Sequence, residues 1–217
     1  MTTAVAGPAL SGLEGRLEKG LEELGVPLGR EAMTKLIEYL ALLEKWNRVY
    51  NLTAIRDAEK MISGHLLDCL AVVPHLGGGR VLDVGSGAGL PGIPLAVAKP
   101  DLHVSLLDSS HKKTAFLKQA VAELRLKNAH VVCERVESWR PTEKFDWITS
   151  RALAGLAEFA ALTGHLLAPG GVLAAMKGVY PFEEIEQLPA NFRASQVLRL
   201  SVPGLESERH LVLIERA

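Results

Sequence analysis

Val81-Leu82-Asp83-Val84-Gly85-Ser86-Gly87-Ala88-Gly89-Leu90-Pro91-Gly92-Ile93-Pro94 is the stretch that decides the fold. Its first four residues, with Arg80 before them, read as a short β-strand. The glycines that follow let the chain turn tightly, and a helix is expected over 91–98, with Pro100 ending it. Such a turn brings the free N–H groups of a helix N-terminus to the C-terminal end of a strand. The run therefore predicts the first βα unit of a doubly wound sheet.

Downstream, short β-rich runs alternate with helix-length segments, the rhythm of βαβ units on a parallel sheet. Strands are expected over 80–84, 103–107, 130–133, 145–149 and 172–176, and helices over 112–126 and 155–167, the latter stopped by Pro169-Gly170-Gly171. A short helix is expected near 181–187, and then two strands over 194–202 and 209–214, joined by Pro203-Gly204 as an antiparallel hairpin at the sheet edge. The expected α/β, Rossmann-like arrangement, a mostly parallel seven-stranded sheet with an antiparallel last strand, resembles that of class I methyltransferases.

Upstream the periodicity is helical. Leu10, Leu13, Leu17, Leu21 and Leu24 form one stripe, stopped by Gly25 and Pro27. A second helix over 31–49 turns Met33, Leu36, Ile37, Leu40, Leu43 and Trp46 inward, and a third, capped by Asp57, carries Met61, Ile62, Leu66, Leu67 and Leu70 before Pro74 ends it. Residues 1–62 are expected to form a helical extension and 63–217 a catalytic domain.

The 217 residues, 48% hydrophobic and 5% aromatic, suffice for one good core and a small appendage. A net charge of -1 excludes a globally basic nucleic-acid binder but leaves room for a local basic face. Cys69 and Cys133 lack metal-ligand spacing, so no disulfide framework or metal site is expected, and both read as reduced core thiols. No uninterrupted apolar run nears the ~18 residues of a membrane span, and residues 1–10 do not resemble a secretory signal. A cytoplasmic monomer without a membrane partner is expected.

Dinucleotide enzymes use G-x-G-x-x-G to cradle a pyrophosphate. Here Gly85, Gly87 and Gly89 run G-x-G-x-G, and Leu90 stands where the third dinucleotide glycine would fall. That favours a ligand without phosphates, such as S-adenosylmethionine, its amino-acid end against the Gly85-Ser86-Gly87 loop. Asp83 can orient the loop or meet the ligand's ammonium. Asp108, followed by Ser109, stands near the ~20-residue offset expected of an acid that binds ribose hydroxyls. The competing reading, a plain tight turn, is disfavoured by these two acids at strand ends. The adenine pocket is expected at Arg135-Val136-Glu137, with Val136 donating its N–H and Glu137 accepting from the exocyclic amine; a solvated charged loop is the alternative.

After the fourth strand comes Thr149-Ser150-Arg151-Ala152-Leu153, without the Asn/Asp-Pro-Pro-Tyr run used on exocyclic amines. Neither cysteine is placed as a nucleophile, Cys133 belonging to a strand and Cys69 to a helix. An acceptor with its own lone pair fits, and guanine N7 is one.

These features, with Asn51-Leu52-Thr53, His65-Leu66-Leu67-Asp68, Leu106 to Ser109 with Lys112-Lys113, Ser150-Arg151-Ala152, Met176-Lys177-Gly178 and Glu208 to Val212, resemble the bacterial RsmG (GidB) family from about Leu36 to the end. The resemblance implies S-adenosylmethionine-dependent methylation of guanine N7 in 16S rRNA, at nucleotide 527, in the small ribosomal subunit or an assembly intermediate. It implies cofactor contacts at Gly85, Leu90, Val136, Glu137 and Arg151, and puts Arg135, Lys177 and Arg209 on the substrate side. Gly64 stands where the family often has arginine, and Cys69 where serine is common.

Other candidates carry two readings. His65 and Asp68 share a helix face and either support the cofactor loop or target base, or form a buried pair that fixes the extension. The basic segment His111, Lys112, Lys113, Lys118, Arg125 and Lys127 is either a solvated face or a phosphate-binding surface. Trp46, Trp139 and Trp147 read as packing, with base stacking as the alternative for Trp139. Competing functions are methylation of another RNA or a small molecule, a non-catalytic ribosome assembly factor, and a dehydrogenase.

Overall fold

The computed structural model describes residues 8–151 and 154–217, with the backbone alone for 8–11. The side chain of Leu10, residues 1–7 of the expected extension, and Ala152 and Leu153 lie outside the described residues.

Two long helices come first, α1 (Pro8–Leu24) and α2 (Arg30–Tyr50). Gly25, at φ +65, ends α1 as expected, its N–H donating to Glu22 O and that of Val26 to Leu21 O. Leu36, Ile37, Leu40 and Leu43 are buried along α2, whose left-handed C-cap is Asn51. The expected third helix is three pieces: α3 (Ala58–Met61), a π-helical turn (Ile62–Leu67) and α4 (Asp68–Leu70). Asp57 caps it as expected, accepting from Lys60 N at 3.0 Å. Pro74 sits in a 3-10 turn, Val73–His75.

The sheet then builds from β1 (Arg80–Val84), α5 (Gly92–Ala98), β2 (His103–Leu107), α6 (His111–Glu123), β3 (Ala129–Val132), β4 (Phe145–Arg151), α7 (Leu156–Thr163), β5 (Leu167–Lys177), α8 (Phe182–Glu186), β6 (Phe192–Leu200) and β7 (Arg209–Arg216). The strand order is β3-β2-β1-β4-β5-β7-β6. β1 to β5 run parallel, and β7 is antiparallel to both β5 and β6, so the expected fold is borne out. The β6–β7 hairpin reaches the sheet through β7 and leaves β6 at the edge.

Two local expectations are corrected. Pro169-Gly170-Gly171 does not terminate a helix but lies inside β5, where Gly170 takes φ +74 and the pairing with β4 shifts register. A Cβ at Gly171 would stand 2.8 Å from Phe145 O, so this backbone approach needs glycine. Cys133 falls just past β3 and is half-buried, its Sγ 3.4 Å from His111 Nδ1; only Cys69 is a core thiol, and burial pushes its pKa up.

Alternation along β1 shows how the core divides. Val81 faces the layer of α1, α2, α5 and α6, together with Leu36, Leu70 and Phe116, whereas Leu82 and Val84 face Leu156, Phe159 and Ala160 of α7. The N-terminal helices thus share one apolar core with a face of the sheet. A Cβ at Gly20 of α1 would overlap Leu67, so this contact is nearly backbone-close.

On the thinner α7 side few apolar groups can refill a void. Phe159, 2% exposed, is the test: Phe159→Ala should cost about 3–5 kcal/mol of unfolding free energy in urea titrations. A loss below about 1 kcal/mol would show that this face is not close-packed.

Candidate functional site

At the C-terminal end of β1 the chain makes its glycine turn, with Gly85, Gly87 and Gly89 all at positive φ. The turn is tied to the neighbouring strand: Gly85 N and Ser86 N donate to Leu107 O at 2.8 and 3.0 Å, and Gly87 N donates to Asp108 Oδ2 at 3.0 Å. Asp108 Oδ1 accepts from Ser110 N at 2.9 Å, and Lys113 Nζ lies 3.5 Å from the same carboxylate. Behind the turn, Asp83 Oδ2 accepts from Gly92 N, the first residue of α5, at 3.0 Å. A Cβ at Gly92 would stand 2.7 Å from that oxygen. Asp83 is fully buried and orients the loop, and its Oδ1 has no hydrogen-bond partner among the described residues.

In front lies a cleft of about 330 Å³, lined by Gly85, Asp108, Ser109, Arg135, Val136, Glu137 and Arg151. Seven residues expected at the site from sequence are thus brought together. Asp83, Ser86, Gly87, Gly89 and Leu90 are not in its wall; they hold the turn from behind or within. Arg135, expected on the substrate side, lines the cleft and lies 3.4 Å from Glu137. Leu107, Lys113 and Leu162 also line it and were missed as ligand contacts. Lys113 was legible only as part of a basic segment, and it reaches the cleft because Ser110 caps α6 beside Asp108.

The remaining candidates assemble around Asp68, whose side chain is 3% exposed. Its Oδ2 accepts from Arg151 Nη1 at 3.2 Å and its Oδ1 from Arg209 Nε at 2.9 Å. Arg151 Nη1 also donates to Gly64 O at 3.1 Å. His65 is buried too, its Nδ1 3.5 Å from Arg151 and its Nε2 2.8 Å from Thr53 Oγ1, while Thr53 N donates to Asn47 Oδ1. His65 and Asp68 therefore converge on Arg151 and are screened from solvent. A Cβ at Gly64 would meet Ile55 at 2.7 Å, so the position where the family often has arginine is already crowded. Lys177 lies apart from this cluster: its Nζ donates to Ala154 O at 3.0 Å and to Glu184 Oε2 at 2.6 Å. Trp139 packs on Phe145, with ring centroids 5.7 Å apart.

The cleft fits S-adenosylmethionine by its own chemistry. A Cβ on Gly87 would meet only Gly85 O, at 3.6 Å, so the turn presents open backbone. Acids stand behind and beside that backbone, and a guanidinium stands at one side.

The family model GidB, described as rRNA small subunit methyltransferase G, matches residues 32–212. The chain belongs to this family. Ribosomal RNA small subunit methyltransferase G of Laribacter hongkongensis is 58% identical over 92% of this GidB chain and 97% of its own length. The same-named protein of Chromobacterium violaceum is 59% identical over 90% and 94%. Among solved structures, a SAM dependent methyltransferase from Aquifex aeolicus superposes with a TM-score of 0.56 at 19% identity, covering 81% of this chain and 97% of that one, a likeness of fold. Among the described residues no helix is long and apolar enough to cross a membrane.

Burial moves two of the GidB site's groups in opposite senses. It pushes Asp83 up to about 7, against the Gly92 N–H, which favours the carboxylate. It pulls His65 down to about 4, helped by the Arg151 charge. An unfolded aspartate titrates near about 3.9, so between about 4 and 7 the folded chain holds a proton that the unfolded chain has lost, and the Asp83 contribution to stability falls as pH rises. An unfolded histidine titrates near about 6.5, so the His65 contribution is present above that pH and lost as pH falls toward 4. Thermal melts between pH 4 and 7 should therefore fall more steeply with rising pH in His65→Gln than in the parent, and rise more steeply in Asp83→Asn. Parallel profiles for all three proteins would contradict both assignments.

Proposed function

We propose that the protein is an S-adenosylmethionine-dependent methyltransferase acting on N7 of a guanine in 16S rRNA, nucleotide 527 by the family resemblance, with the small ribosomal subunit or an assembly intermediate as substrate. One observation carries the reading: the cleft joins the glycine turn, Asp108, Val136-Glu137 and Arg151 in a chain of the small-subunit rRNA methyltransferase G family.

When bound, S-adenosylmethionine supplies the methyl group, which passes to the N7 lone pair as the sulfur–carbon bond breaks. The residues of the chain hold and align. The backbone at Gly85, which lines the cleft, would lie against the amino-acid end, and Arg151, a planar donor fork, would suit its carboxylate. Asp108 retains lone pairs beyond those taken by Gly87 and Ser110, enough to receive ribose hydroxyls. Val136 and Glu137, which line the cleft, would meet the adenine edge. The acceptor lone pair requires no general base, so catalysis rests on orientation, which can lower a barrier by roughly 7–11 kcal/mol. Arg209 and Lys177, on the C-terminal rim of the sheet, serve the RNA side.

Borohydride reduction and aniline cleavage of 16S rRNA should give one scission in the parent strain that is lost on deletion and restored by the gene. An unchanged pattern would rule out this target. Arg151→Ala should weaken S-adenosylmethionine binding about 10- to 150-fold by calorimetry, the range for losing a charged hydrogen bond; unchanged affinity would remove Arg151 from the cofactor site.

A further inference from the structure

Three large apolar side chains stand in solvent where β5 leads into α8: Val179, 73% exposed, and Tyr180, 39%, on the short loop, and Phe182, 70%, at the start of α8. The Tyr180 and Phe182 ring centroids are 4.2 Å apart. His210 of β7 supports Tyr180 edge-on at 5.6 Å, and its Nδ1 lies 2.7 Å from Gly178 O, which pins the loop's first residue. The loop is also fixed to the chain that follows β4. Lys177 Nζ donates to Ala154 O, and Glu184 Oε2 accepts from Leu156 N at 2.8 Å. The rings thus sit on the C-terminal rim of the sheet, on the same β4–β5 edge as Arg151, which pairs with Met176. Exposed apolar groups of this size, held rigid beside a site, mark a contact surface rather than core.

We propose that the Tyr180–Phe182 pair is a stacking platform for an unpaired base of the RNA substrate, outside the methylated guanine; this rests on the RNA reading of the function. The local charge favours a base over a phosphate. Glu183 and Glu186 are exposed on α8 beside the rings and repel a phosphate, whereas Arg199, 74% exposed and 3.4 Å from Glu208 Oε1, stands on β6 opposite His210 and can receive the backbone by exchanging that exposed ion pair. Aromatic faces accept any base, and preformed rings lose little conformational freedom on binding.

Phe182→Ala, at an exposed position, should keep the parent's melting temperature and S-adenosylmethionine affinity. Its binding to undermethylated small subunits should weaken about 5- to 150-fold, the range for one stacked base, with an unchanged salt slope because no phosphate contact is lost. Phe182→Trp should restore binding, with its emission quenched by the subunit. Benzoylphenylalanine at position 182 should crosslink to RNA. Parent-like binding by Phe182→Ala, or crosslinking to a ribosomal protein alone, would overturn the platform while leaving the methyl transfer intact. Failure of the parent itself to bind or methylate the subunit would overturn the RNA reading and the platform with it.

Discussion

Asp68 holds two arginines that come from strands two places apart in the sheet. Arg151 ends β4, in the middle of the sheet, and Arg209 begins β7, the strand that inserts between β5 and β6. The carboxylate comes from neither strand but from α4, directly after the π-helical turn, so one buried anion joins the N-terminal helical layer, the centre of the sheet and its last strand. Removing one partner of such a buried pair strands the other charge, a cost of about 3–5 kcal/mol. Two guanidiniums on one carboxylate, with Gly64 O as a further acceptor, satisfy the donors that burial would otherwise orphan. Burial, helped by the Arg151 charge, drives the His65 pKa down, so the neutral ring adds a polar contact without a third positive charge.

The glycine turn depends on a second carboxylate used in the same way. Asp83 takes the Gly92 N–H at the start of α5, and Asp108 takes the Gly87 N–H within the turn, so the loop is stretched between two acids at adjacent strand ends. Tyr39 of α2 adds a third tie, its hydroxyl donating to Ala88 O at 2.6 Å. The extension therefore touches the turn through Tyr39, and the helical segment that follows it touches Arg151 through His65 and Asp68. A helical layer that looks like an appendage in sequence thus supports the cleft from behind, through the glycine turn and Arg151, without lining it.

Much of this was legible because the decisive signals are local. β1 and β2 have the bounds expected of them, since alternation between two apolar layers and a following glycine or acid mark both ends of each strand. The cleft residues from Gly85 to Arg151 were found because each stands at a strand end. What the sequence hid is non-local. Pro169-Gly170-Gly171 has the composition of a helix stop, yet pairing with β4 draws it into a strand. The spacing of His65 and Asp68 reads as a pair on an α-helical face, but they meet through Arg151, which is 83 residues from Asp68. Arg135, put on the substrate side by the family resemblance, lines the cleft beside Glu137. The exposed rings at 180 and 182 carried no periodic signal at all.

Asp68 reaches the cleft through Arg151. A double-mutant cycle on S-adenosylmethionine affinity, measured by calorimetry for Asp68→Asn, Arg151→Lys and the double variant, tests it most directly. Each single variant should weaken binding, and the double variant should be no weaker than Arg151→Lys alone. Independent, additive losses, or parent-like affinity in Asp68→Asn, would contradict it.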